Sequence, residues 1–178
     1  MARWPSGKRW RWVVGVALSA VLVYWLAVHR RLLLASGRNV AWHAMHRNEL
    51  KLSQTIYTVP FAWQVSPENP HFAFLLSIRW FRNPTMVSLE DGIQQENVPF
   101  ESVLASERVL FANNGKLTGE RRVRNGFEED FYFEGTLKDL NESYVVQCVG
   151  PSGTFSLFSG DREFVDSYYK IVKSARRP

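Results

Sequence analysis

Glu120-Arg121-Arg122-Val123-Arg124-Asn125-Gly126-Phe127-Glu128-Glu129-Asp130-Phe131-Tyr132-Phe133 carries the strongest local signal in the 178-residue chain. Asn125-Gly126 stands between two strand-like segments, and both residue types accept the positive φ that a two-residue type I′ turn requires. With Arg124 and Phe127 closing that turn, Arg122 opposes Glu129 and Arg121 opposes Asp130. The same register puts Phe127, Phe131 and Phe133 on one face. Arginines facing three consecutive acids then read as cross-strand ion pairing near a hairpin tip, ahead of a binding patch. An antiparallel hairpin here makes the surrounding domain a sheet protein.

Downstream, residues 144–149 and 154–158 predict a second hairpin over Gly150-Pro151-Ser152-Gly153. Asp161 then caps a final helix with Phe164, Val165, Tyr168, Ile171 and Val172 on one face. Lys170, Lys173, Arg176 and Arg177 suit the negative end of its dipole. Upstream, Asn97 caps a helix with Pro99 in its first turn. Its apolar face is Phe100, Val103, Leu104, Leu110 and Phe111, and Asn113-Asn114-Gly115 ends it. Residues 50–57 predict one strand running into Val59-Pro60, followed by an apolar stretch at 61–65. Residues 66–70, with two prolines, read as a turn. Residues 72–81 are apolar throughout, which does not separate a buried strand from a helix. Residues 85–89 are a further strand, closed by Glu90-Asp91-Gly92. The sum is α+β: an antiparallel sheet packed with helices in one small domain, residues 49–178.

The first 48 residues have a different composition. They contain eight Lys or Arg and no acid, whereas residues 49–178 carry a net charge of −3. The basic pI near 9.6 therefore belongs to the N-terminal part. A nucleic-acid binder needs its positive charge on the folded domain, so nucleic acid is excluded as the expected partner. Residues 12–28 (WVVGVALSAVLVYWLAV) form an uncharged run of 17. At ~1.5 Å per residue it covers ~25 Å, close to the ~30 Å of a hydrocarbon core, and flanking arginines can snorkel over the difference. The residues read as the anchor are Trp12, Val13, Val14, Leu18, Val21, Leu22, Val23, Tyr24, Trp25 and Leu26. Trp12 at one end and Tyr24 with Trp25 towards the other suit the interfacial belts. A cleaved secretory signal would need a small-residue site, yet the run ends in bulky and then basic residues.

The expected layout is a basic cytoplasmic N-terminus at 1–11, a transmembrane helix at 12–28 and a basic juxtamembrane stalk at 29–48, read either as a helical linker that breaks at Gly37 or, from its Arg, Trp and Leu, as a segment lying along an anionic membrane surface. The chain is thus expected to be a single-pass signal-anchor protein. Four basic residues flank the span on each side. The first group lies tighter against the apolar edge, which orients the domain to the extracytoplasmic side.

The ending Phe158-Ser159-Gly160, followed by Phe164 and then Ile171-Val172-Lys173-Ser174, resembles the close of PsbP-like domains. Pro60-Phe61-Ala62-Trp63 is similar to the Pro-x-x-Trp element of some members. The resemblance covers the last third of the domain plus that motif. It implies an α/β/α sandwich and a role in binding or assembling other proteins without catalysis. It carries over no metal or partner-contact residue, and a membrane anchor departs from the soluble members.

No Walker loop, G-x-S-x-G, H-E-x-x-H or dinucleotide fingerprint occurs, so no catalytic, cofactor or metal residue is assigned. His43 and His46 have a spacing a metal could use, but no third ligand is near them in sequence. Cys148 shares a face with Tyr144 and Val146 and reads as core. Asn141-Glu142-Ser143 fits a glycosylation sequon. The function expected is a membrane-anchored binding or assembly module. Its partners are the lipid bilayer and another membrane or envelope protein, with Trp63, Trp80 and Phe81 as candidate contacts. Two readings stay open beside it. One is an enzyme whose site joins distant residues such as His71, Arg79 and the acids at 128–130. The other is a domain that takes a lipid or small hydrophobe.

Overall fold

The computed structural model describes residues 7–77, 84–92, 98–140 and 143–178, with the side chains of 7–11, 13, 31 and 32 left aside. Two compact units divide the chain after Arg38.

In the first unit, helix α1 (Gly7–His46) begins and then continues into the second. Val, Leu and Ala dominate it and no proline interrupts it, so the backbone ladder is continuous through Gly37. The break expected there is absent: a lone glycine costs a helix only about 1 kcal/mol relative to alanine. A bend falls earlier, between Val14–Arg30 and Leu33–His46. Apolar side chains project on every side, Trp12 at 78% exposure and Val23 at 64% among them. Among the described residues no single helix is long and apolar enough to cross a bilayer; the two limbs meet the length and composition only together.

In the second unit, the strand expected over residues 50–57 is two strands. β1 (Glu49–Lys51) and β2 (Ile56–Thr58) pair antiparallel, with Leu50 opposite Tyr57. A single strand would send these residues to opposite faces, because their separation is odd. Folding back at Ser53-Gln54 lets both be buried. β3 (Trp63–Asn69) also runs further than expected. It is an edge strand with a bulge between Pro67 and Asn69, the one place in a sheet where proline's missing N–H is tolerated. The turn therefore falls at Pro70-His71 and not across residues 66–70. β4 (Phe72–Ser77) settles the ambiguous apolar run as a strand as far as it is described, with Ala73 and Leu75 buried at period two.

β5 (Met86–Glu90) leads across to α2 (Phe100–Asn114). Its buried face is narrower than expected: Leu104 and Phe111 are buried, while Leu110 faces solvent. β6 (Gly115–Asn125) and β7 (Glu128–Leu137) form the expected hairpin in a different register. Asn125 opposes Glu128 and Arg122 opposes Phe131, so the loop is Gly126-Phe127. Asn125 is a buried strand residue, and Gly126 alone supplies the positive φ, +55°. Phe131 and Phe133 pack towards α2, whereas Phe127 packs with the opposite core cluster. Arg122 still reaches Glu129, at 3.9 Å, but Arg121 pairs with Glu134, at 3.1 Å, and not with Asp130.

β8 (Ser143–Val149) and β9 (Phe155–Gly160) match the expected second hairpin. α3 (Val165–Lys173) follows a 3-10 turn at Arg162–Phe164, so Phe164 and not Asp161 takes the capping position. The seven strands form one antiparallel sheet in the order β3-β4-β5-β9-β8-β7-β6. One face carries α2 over Phe133, Leu137, Val145 and Val149. The other carries α3 and the β1–β2 hairpin over Trp63, Val87, Tyr132 and Phe158. The fold is α+β, with helices on both faces of the sheet.

Trp63 is fully buried, its indole N–H donating to Ser167 Oγ at 2.8 Å and its ring edge-on to Phe164 at 5.8 Å. That corrects its expected place among exposed partner contacts: an indole of this area contributes most in a core with its N–H satisfied. Trp80 and Phe81, with Arg79, Asn97 and the sequon at Asn141, lie outside the described residues.

Candidate functional site

One end of the sheet collects the buried chemistry. β7 starts there, β6 ends there, and the β8–β9 loop closes over both. Burial of Asn125 turns its amide inward, where Nδ2 donates to Asp130 Oδ2 at 2.7 Å and lies 2.5 Å from the Tyr132 hydroxyl. Cys148, directly opposite Tyr132 on β8, donates its S–H to the same Asp130 oxygen at 3.4 Å. Two residues back along β7, Glu128 accepts from Ser152 Oγ at 2.8 Å and Thr154 Oγ1 at 2.7 Å, tying the loop to the strand. On the helical side, Ser156 Oγ meets the Tyr168 hydroxyl at 2.8 Å.

Asn125, Glu128, Asp130, Cys148, Thr154 and Ser156 surround a cavity of about 10 Å³ bounded also by Tyr57, Phe127 and Val172. Asn125 Oδ1 and Asp130 Oδ1 are buried without a partner. A cavity this size takes one water molecule, which could serve both oxygens. It admits no substrate.

Burial sets the electrostatics. It pushes the Asp130 carboxyl up to about 6, opposed by the Asn125 amide and reinforced by the negative Glu128. The Cys148 thiol is pushed well above its ordinary value, first by burial and then by the Asp130 charge beside it. A thiol held protonated in this way is no nucleophile. Tyr57 and Tyr132 are raised for the same leading reason. The cluster can hold a proton and a water; nothing in it activates an attacking group.

His71, proposed from sequence as a distant partner of the 128–130 acids, sits at the same end of the sheet in the β3–β4 turn. Its Nδ1 lies 3.2 Å from the Asp91 carbonyl and 3.7 Å from the Asp91 carboxylate, whose other oxygen accepts from the Gln54 N–H at 2.7 Å. Strands β9 and β8 separate β5 from β7. Tyr57, raised first by burial, also feels the charge of both Asp91 and Asp130. The fold thus brings His71 and the acid run to one edge without merging them into a site. Of the acids, Asp130 is buried while Glu129 remains exposed beside Arg122.

His43 and His46 part company as well. His43 is buried, its Nε2 donating to the Trp63 carbonyl at 3.0 Å and its Nδ1 lying 2.8 Å from Asn48 Oδ1. His46 Nδ1 lies 2.9 Å from the Trp42 carbonyl. Among the described residues no three His, Cys, Asp or Glu side chains converge on a metal position.

The inward Asn125–Asp130–Tyr132 set was missed in the sequence because a one-residue error at the turn sends Asp130 to the wrong partner. Comparison with protein-family models and with curated proteins finds no match.

Proposed function

We propose that this chain is a membrane-tethered module that binds or helps assemble other membrane or envelope proteins and performs no chemistry of its own. In this reading residues 12–28 are the single span, their few ångströms of shortfall against a bilayer core absorbed by snorkelling arginines and local thinning; the basic residues 1–11 lie in the cytoplasm, and the 49–178 domain stands on the extracytoplasmic side.

The observation that carries this reading is the first limb of α1. Leu18, Val21, Leu22 and Val23 are all exposed along it, as are Tyr24 and Leu26. A helix apolar on every side has no stable place in water, and burying each such side chain is worth about 1.5–3 kcal/mol. Lipid is the solvent that covers all sides at once. The basic residues at both ends and the Trp and Tyr near them fit the two interfaces.

Further support comes from the domain, whose described polar cluster encloses room for a water and not for a substrate. The resemblance of the ending to PsbP-like domains supports binding and assembly too. Tethering raises the effective concentration of a weak binder for partners in the same membrane.

Affinity purification of the tagged chain in mild detergent tests this reading. A defined complex containing another membrane protein is the expected result; a lone monomer from cells that express the chain at its native level would refute the assembly role.

A further inference from the structure

The end of α1 turns polar side chains to the domain and leaves much of its apolar surface uncovered. Two of its polar residues face in: Asn39 and His43 are 1% and 5% exposed, whereas Arg38 and His46 stay exposed. Asn39 Nδ2 donates to the Phe61 carbonyl at 2.8 Å, and the His43 ring lies 5.2 Å from the Phe61 ring. Among its apolar residues Trp42 packs half-buried against the core, and the others face out. Val40 and Met45 are 52% and 73% exposed, and Ala41 and Ala44 between them are exposed too. The same spacing of threes and fours reaches back to the exposed Leu33 and Leu34. Residues 30–48 contain four arginines and no acid. An apolar stripe flanked only by positive charge has the chemistry of a helix lying in the headgroup layer of an anionic bilayer. The charge also argues against a second copy as the cover, because two such segments would repel.

We propose that residues 33–46 lie along the surface of a membrane containing anionic lipid, with Val40 and Met45 among the acyl chains and Arg38 and Arg47 on the lipid phosphates. Asn39 and His43 then hold the domain against the bilayer by its Phe61–Trp63 segment. This rests on the membrane-tethered reading above and adds a second contact with the lipid.

The test uses the full chain in vesicles, with an environment-sensitive fluorophore at Val40→Cys or Met45→Cys and a control label at Glu101→Cys on the exposed side of α2. Cys148 is buried and does not compete for the label under native conditions. In vesicles rich in phosphatidylglycerol, both test labels should shift to the blue and be quenched by bromine-labelled acyl chains, while the control stays water-like. Arg38→Gln and Arg47→Gln should each weaken the surface-bound state about fivefold, an effect that added salt reduces.

Water-like labels on a chain that floats with the vesicles would overturn this proposal and leave the span standing. A blue shift that ignores lipid charge and grows with protein concentration would also overturn it, in favour of self-association. Failure to float at all would remove both readings.

Discussion

Gly126 takes φ +55°, and a Cβ there would run into the backbone carbonyl of Ala175. Gly126→Ala should therefore destabilise the domain by roughly 3 kcal/mol, combining left-handed strain with overpacking, as read by urea unfolding in mild detergent. Asp130 makes a prediction of the opposite sign. Its folded carboxyl is raised to about 6. An unfolded aspartate loses its proton near pH ~3.9. Between those values the folded state binds the extra proton, so stability is full below the lower one and declines as pH rises through the upper one. Asp130→Asn should abolish that part of the decline and raise stability at neutral pH by at most roughly 3 kcal/mol. Glu90 and Glu107, also raised by burial, leave a residual slope in the variant. A profile unchanged by Asp130→Asn would show that this carboxyl is not the buried proton holder. The turn itself was legible from Asn-Gly, but not which of the two residues begins it. That choice depends on Asn125 finding Asp130, Tyr132 and Cys148, a contact between three strands that a local reading does not contain.

At the scale of elements, the hairpins and α3 are legible because Gly, Pro and a one-sided apolar pattern mark them. The β1–β2 hairpin and the long edge strand β3 are not, since proline at an edge looks in sequence like proline in a turn. Trp63 shows the same limit: a large aromatic near a loop suits a surface or a core, and only the Ser167 and Phe164 contacts decide. The end of α1 is the sharpest case. Its outward apolar residues resemble a core face, whereas the true inner face is made by Asn39 and His43 with the half-buried Trp42. His43→Ala should cost about 1–3 kcal/mol of domain stability, because the Trp63 carbonyl is left buried without its donor, and Asn39→Ala about 0.5–1.5 kcal/mol for the lost, part-buried bond to the Phe61 carbonyl. Val40→Gln and Met45→Gln should instead stay within about 0.5 kcal/mol of the parent in detergent. A reversal of that ranking in thermal unfolding would mean that the helix is packed the other way round.

For the whole molecule, charge and hydropathy divide the chain more clearly than any motif does: a basic, apolar N-terminal part and a mildly acidic α+β domain. The polar groups buried inside that domain serve its own closure, so the activity proposed lies on its surface and in its attachment. Attachment is the claim on which the rest depends. Alkaline carbonate extraction of native membranes, with the N-terminus of the recovered protein determined by mass spectrometry, tests it directly. The account predicts a chain that stays in the membrane pellet with residues 12–28 intact. A carbonate-soluble protein whose N-terminus lies beyond Gly37 would contradict it.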